Sequence, residues 1–511
     1  MLSKVLSSAV LGIDAYVIQV EADISPQLPS FTTVGLPDNA VKESRERVQS
    51  AIKNSGFSFP NKKITINLAP ADIKKEGSAF DLPIAIGILS ATGQILSDDF
   101  KDFLILGELS LDGAVRPIRG ALPIALSAHK NDIKGMVLPK ENAKEAAMSE
   151  AVNIYPVGSL KEAVDFLENR STIQPLVIDT KDVFQKAMEY RVDFSDVKGQ
   201  EHTKRALEVA AAGGHNIILI GPPGSGKTML ARRLPTILPN LTLDEALETT
   251  KIHSVAGLLP SDTPLTATRP FRSPHHTISD AGLVGGGKIP RPGEVSLAHH
   301  GVLFLDEMPE FPKDVLESLR QPMEDGKLTI SRVSMSLTYP AKFMLVGAMN
   351  PCPCGYHGDL IHDCSCTLVQ IQKYIGRISG PLLDRIDIHI EVPAVNFKEL
   401  SSEPTGENSA TIRKRVNAAR KTQLERFKKE KHIFCNAHMD SSEIRKYCPI
   451  DDSSKELLRM AITRLGLSAR AYDRILKVAR TIADLENQND ILSQHISEAI
   501  QYRSLDRTLG M

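Results

Sequence analysis

Two hydrophobic rhythms run along the chain. Residues 17–21, 63–68 and 103–106 are short apolar or alternating runs, the pattern of strands. Residues 38–54, 81–92, 120–129 and 141–149 follow a helical pattern instead, and Asp38 is placed to cap the first of these helices. Together they predict one α/β unit over 1–168. The rhythm lapses at 169–193, a linker that holds Ser171, Thr172, Gln174 and Pro175 and a short helical stretch at 183–189. A second α/β unit, 194–395, runs strand, glycine-rich loop, helix, insert and strand. After a polar loop at 396–409 with Pro404 and Gly406, the spacing is helical at 411–428, 454–465, 469–484 and 491–503. Residues 396–511 are thus expected to form a helical C-terminal domain.

Composition narrows this picture only a little. A chain of 511 residues is too long for one ordinary core. With 42% hydrophobic and 24% charged residues it fits a soluble globular protein. The net charge of −1 predicts no particular partner, so a nucleic-acid surface would have to come from local clustering. No apolar run has bilayer length, which predicts no membrane partner. The first six residues read as the start of a strand region rather than a signal peptide, and the cytoplasm is the expected location. Four of the six cysteines crowd into 352–366, which suits metal binding in a reducing compartment better than a disulfide scaffold.

The chemistry concentrates in the second unit. A buried-strand pattern at 215–220 leads into Gly221-Pro222-Pro223-Gly224-Ser225-Gly226-Lys227-Thr228, and a helix follows at 229–238. This is G-x-x-x-x-G-K-T between a strand and a helix, the phosphate-binding P-loop. Its glycines let backbone N–H groups turn toward the phosphates of ATP, and the helix N-terminus adds partial positive charge. Lys227 supplies charge for the β- and γ-phosphates, and Thr228 offers its hydroxyl to Mg²⁺. A second buried strand at 302–305 ends in Asp306-Glu307. Asp306 is expected to hold the Mg²⁺, largely through water, and Glu307 to polarise the attacking water. A third strand at 343–349 delivers Asn350, which either touches the γ-phosphate or the attacking water, or is a turn former before Pro351.

These motifs, with Leu382-Leu383-Asp384-Arg385-Ile386-Asp387 and the helical C-terminus, resemble the AAA+ ATPases. More narrowly, the chain resembles the magnesium-chelatase-like, ComM/YifB-type family over essentially its whole length. The segments that carry this are Arg272-Ser273-Pro274-His275-His276-Thr277-Ile278-Ser279, Arg291-Pro292-Gly293-Glu294-Val295-Ser296-Leu297-Ala298-His299 and Leu465-Gly466-Leu467-Ser468-Ala469-Arg470-Ala471-Tyr472-Asp473-Arg474. The resemblance implies an α/β AAA+ core with a helical lid, and a homo-oligomeric, hexameric ring. It puts Asn350 at the sensor-1 position, Arg385 at the arginine finger and Arg470 at the sensor-2 arginine. Without it, Arg385 reads as an ion-pair partner of Asp384 or Asp387, and Arg470 as a solvated helix start.

Between Thr228 and Asp306 lies a long insert with Arg269, Arg272, His275, His276, Lys288 and Arg291 among many glycines and prolines. Gly285-Gly286-Gly287-Lys288 reads as a loop tip, and 326–332 with 334–338 reads as a hairpin. In related ring ATPases such insertions reach a central pore. On that reading Lys288, Lys327 and Arg332 contact a DNA backbone, single-stranded or branched; the plain alternative is subunit contacts or surface loops. Cys352, Cys354, Cys364 and Cys366 could hold a structural Zn²⁺ tetrahedrally, with His357 or His362 as substitute ligands, or be four free thiols.

Residues 75–82 and 107–118 resemble the Lon-protease-type domain of the ribosomal S5-like fold. In true Lon-type proteases a Ser–Lys pair does the hydrolysis; here its serine aligns with Ala79, beside Ser78, and its lysine near Leu122. A serine without an activating base is a weak nucleophile, so the domain reads as a non-proteolytic relative. The family resemblance implies an ATP-driven DNA translocase that promotes branch migration in recombination or natural transformation. The rivals are a chelatase motor, an ATP-dependent protease and a protein remodeller.

Overall fold

The computed structural model describes the chain except residues 72–73, 76, 129–132, 187, 189, 261–262, 288–289, 333–334, 360–361, 395–405, 431–432, 466–467 and 507–511, and the side chains of 335, 465 and 469. Two compact units are present: 1–188 with 243–267, and 189–242 with 268–511. The stretch 243–267 lies within the range that the sequence assigns to the ATPase core, yet it packs with the N-terminal unit.

The N-terminal unit is built on a seven-stranded mixed sheet. Its strands are β1 (Leu2–Leu11), β2 (Asp14–Ser25), β3 (Ser30–Val34), β4 (Lys63–Ala69), β5 (Phe103–Ile105), β6 (Gly135–Pro139) and β7 (Asn153–Val157). Their spatial order is β3-β4-β2-β1-β5-β6-β7. β1 and β2 form a long antiparallel pair in which Val5 opposes Val20, and both side chains are buried. Helix Asn39–Asn54 is capped by Asp38, whose carboxylate accepts from the Val41 N–H at 2.8 Å, as its sequence predicts. Helix Asp81–Ala91 is buried along almost its whole length, and its apolar residues recur on all sides.

The second unit holds a five-stranded, all-parallel sheet. Its strands are β8 (Ile217–Ile220), β9 (Phe271–Arg272), β10 (Val302–Leu305), β11 (Met344–Met349) and β12 (Ile388–Glu391). They lie in the order β9-β10-β11-β8-β12. β8, β10 and β11 are buried at every position, as strands covered on both faces must be. Helices Ser409–Arg426, Ala469–Leu485 and Ser493–Gln501 share one hydrophobic core with the sheet and with helix Glu201–Gly213, through Ile412, Val416, Ala479, Ile496 and Val209. This parallel sheet with a helical C-terminus is consistent with the AAA+ fold.

Candidate nucleotide site and its surroundings

Residues 221–226 leave the C-terminal end of β8, and helix Lys227–Ile237 begins at once. Gly224 and Gly226 have φ of +77° and +86°, a region that side chains disfavour, so glycine there lets the loop curl its N–H groups toward one centre. At Gly221 a Cβ would lie 2.1 Å from the Val392 carbonyl oxygen, so the loop start needs glycine for close approach. Lys227 Nζ donates to the carbonyls of Gly221 and Pro222 at 2.8 and 2.9 Å and to Asn350 Oδ1 at 3.2 Å. Burial pulls the ammonium pKa down, and the carboxylates of Asp306 and Glu307 oppose that pull. Thr228 Oγ1 donates to Asp306 Oδ2 at 2.7 Å, which puts both prospective Mg²⁺ contacts side by side.

Sheet order explains the rest of the constellation. β11 lies between β8 and β10, so Asn350 at its tip falls between the P-loop and Asp306-Glu307. Glu307 adopts φ of +50°, rare for a residue with a Cβ, and its backbone N–H donates to Asp306 Oδ1 at 3.0 Å. Its exposed carboxylate lies 3.7 Å from His276 Nδ1. Sequence reading also missed Gln200, whose side chain donates to the carbonyls of Ser225 and Pro393 at 2.8 and 2.9 Å and braces the loop from below. The signal available was the Gly199-Gln200 turn just before a helix.

Three family models match: "Subunit ChlI of Mg-chelatase" over residues 20–142, "Magnesium chelatase, subunit ChlI" over 193–400, and "Magnesium chelatase, subunit ChlI C-terminal" over 406–503. The YifB protein of Escherichia coli is 46% identical over 99% of this chain and 98% of its own length. The competence protein ComM of Haemophilus influenzae is 44% identical, again over 99% and 98%. The chain belongs to the ComM/YifB-type, magnesium-chelatase-like family. The magnesium-chelatase 38 kDa subunit of Rhodobacter capsulatus is a more distant relative, 25% identical over 59% of this chain and 84% of that subunit.

Two of the segments that carry the ComM/YifB resemblance meet in the fold. Arg272 makes a two-armed ion pair with Glu294 at 2.6 and 2.7 Å, and this anchors the strand edge that leads to His275 and His276. Arg385 departs from its expected alternatives. Its guanidinium pairs with Glu324 and donates to the Pro381 carbonyl at 2.6 Å, not with Asp384 or Asp387. Asp387 is already engaged by His215 at 2.9 Å and by Arg474. Burial alone would raise its carboxyl pKa, but Arg474 and His215 hold it well below the usual carboxylate range. Arg470 is largely exposed near the start of helix Ala469–Leu485, 3.5 Å from Asp384.

Lys288 lies outside the described residues. Lys327 and Arg332 are exposed at opposite ends of Lys327–Arg332, which pairs with Met335–Pro340 in the expected hairpin. The insert's glycine loop packs on this hairpin. A Cβ at Gly286 would lie 3.3 Å from an Arg332 guanidinium nitrogen, and Tyr339 donates to the Pro290 carbonyl at 2.7 Å.

The cysteine loop joins the site directly. The sulfurs of Cys352, Cys354, Cys364 and Cys366 lie within 4.8 Å of one another. His357 and His362 are not part of this group; the His362 ring packs on Tyr356 and its Nδ1 lies 3.8 Å from Asp359. A hydrogen bond at the Tyr356 backbone and one from the Cys352 side chain pull the Cys354 thiol below its ordinary value, whereas Cys364 and Cys366, beside the same sulfurs, are pushed up.

In the N-terminal unit, Leu122 is fully buried in helix Ala121–Ala128 and donates its backbone N–H to Glu145 at 2.9 Å. Ser78 donates to Glu108, so a carboxylate rather than an amine lies against its hydroxyl. Among the described residues no helix is long and apolar enough to cross a membrane.

Proposed function

We infer that this protein is a ring-forming, Mg·ATP-hydrolysing motor that moves on DNA and promotes branch migration or strand exchange in recombination or natural transformation. The convergence of Lys227, Thr228, Asp306, Glu307 and Asn350 at one end of a parallel sheet carries the ATPase part. In this reading the P-loop N–H groups and Lys227 hold the phosphates, and Thr228 with Asp306 holds Mg²⁺. Glu307 aligns water for attack on the γ-phosphate, and Asn350 fixes the geometry between them. A Mg²⁺ held there would supply charge to offset that of the phosphate oxygens.

The DNA part is supported by 44% identity to a competence protein and by the exposed cations Lys327 and Arg332 on the hairpin. The free cysteines fit a reducing compartment, the cytoplasm. Arg385 is assigned to the neighbouring subunit's nucleotide. Ala79 and Leu122, where a Ser–Lys pair would stand, argue for a non-proteolytic Lon-like N-terminal unit.

The decisive experiment measures the ATPase rate of the full-length protein alone and with single-stranded, duplex and four-way-junction DNA. Stimulation by at least one DNA is expected. Hydrolysis that no DNA stimulates would move the protein to the remodelling of other proteins.

A further inference from the structure

Three of the sulfur–sulfur separations among Cys352, Cys354 and Cys364 are 3.2, 3.7 and 3.6 Å. A tetrahedral zinc with Zn–S bonds of about 2.3 Å places its sulfurs roughly 3.8 Å apart. These three separations are close to that spacing, and Cys366 Sγ lies within 4.8 Å of the other sulfurs, so the four thiols are grouped as a closed site requires. All four are free cysteines. The Gly355 N–H donates to Cys352 Sγ at 3.2 Å, which ties this sulfur to the loop backbone.

The position of this cluster gives it a task. Gly355 has φ of +91°, and a Cβ there would lie 2.6 Å from Pro223 of the P-loop and 3.9 Å from Asn350 Cγ. The loop backbone thus rests on the P-loop. On the far side, Cys366 adjoins Thr367, which caps helix Leu368–Ile375 through a capping box with Gln370. Tyr374 near the end of that helix is buried, which pushes its phenol up, and the Asn350 backbone opposes that rise. The chain leaves Asn350, passes the four cysteines and returns to Asn350.

We propose that Cys352, Cys354, Cys364 and Cys366 bind one Zn²⁺ that closes this loop and thereby positions Asn350, so that ATP turnover depends on the metal while nucleotide binding does not. The ion is structural, because four protein ligands leave no open position. Its role is to remove the conformational freedom of a loop that would otherwise let Asn350 wander. The inference rests on the ATPase reading of the site.

Elemental analysis of the full-length protein, purified with reduced thiols, is expected to give about one zinc per chain. Iron instead of zinc, or no metal, overturns the assignment. Zinc is then withdrawn with a mercurial and a chelator, the thiols are restored, and zinc is added back. The expected result is a fall in kcat of at least about tenfold, the scale of losing a positioning group, with fluorescent-nucleotide affinity nearly constant and recovery on re-addition. The same treatment of Asn350→Ala should lower its kcat no further. Equal fractional losses in wild type and Asn350→Ala, or an unchanged wild-type kcat, overturn the coupling. Cys364→Ser should lose the zinc and show the same fall in kcat; should it fail to fold, Cys364→His tests the same point, since a nitrogen ligand should retain zinc and turnover. A zinc-loaded wild type that hydrolyses no ATP would overturn the ATPase reading itself, and the coupling with it, while the metal content is judged separately.

Discussion

At the residue scale the proposed roles divide the site into groups that hold and a group that acts. Lys227, Thr228 and Asp306 are tied to one another or to the loop by hydrogen bonds of 2.7–3.2 Å. Glu307 stands apart, with an exposed carboxylate on a left-handed backbone. Glu307→Gln should therefore bind ATP with near wild-type affinity while kcat falls by on the order of a hundredfold or more. Steady-state hydrolysis close to wild type would remove Glu307 from its assigned role. The residues of this site were legible in the sequence because each ends a buried strand or opens a helix, and those positions have strong local signals. Gln200 and Glu324 were not, since each takes its place through a contact with a residue far away in the chain, and His276, though marked by its segment, gave no sign that it would stand beside Glu307.

At the scale of elements, the excursion 243–267 is the feature that hydrophobic rhythm could not place. Helix Leu243–Ala256 has its apolar residues on no single face, so its sequence does not say which unit it will cover. A buried carboxylate helps to fix it: Glu145 accepts from Leu122 N–H at 2.9 Å, from Asn142 at 3.3 Å and from Ser254. None of these partners is a cation. Burial raises the Glu145 pKa above its ordinary 4.5, and the hydrogen bonds only partly offset it. The folded state then binds more protons than the unfolded state above that ordinary value, so stability falls as pH rises toward the raised pKa. Thermal unfolding between about pH 5 and pH 8 should show Glu145→Gln gaining a few degrees on the wild type as pH increases. A melting difference that stays constant across that range would show that Glu145 carries no such proton. The hairpin makes a separate prediction. Lys327→Ala and Arg332→Ala should each weaken DNA binding across all sequences and reduce its salt dependence by about one unit of slope. An unaltered slope in titrations at several salt concentrations would return both residues to the surface-loop reading.

At the scale of the whole molecule, the question is what completes the site. Arg385 follows the short helix Gly380–Leu383 and lies against Glu324 and the Pro381 carbonyl, not against its own P-loop lysine. Asp384 and Asp387 cannot claim it, because Arg470 lies beside the first while His215 and Arg474 hold the second. The Arg385 side chain is largely covered while the Glu324 carboxylate is exposed, so only the glutamate side of the pair is open to solvent. A neighbouring subunit's γ-phosphate offers it more charge, so assembly into a ring would draw it off Glu324. Arg385→Ala should then leave nucleotide affinity nearly intact while hydrolysis falls by about a thousandfold, the scale of an arginine finger. Mixing it with Lys227→Ala gives the sharper result. Some interfaces in mixed rings pair an intact P-loop with an intact Arg385, so ATPase activity should partly return once subunits exchange. If co-assembly is demonstrated and activity does not return, Arg385 acts within its own chain. Its pairing with Glu324 would then be its whole role, and Glu324→Gln should mimic the loss.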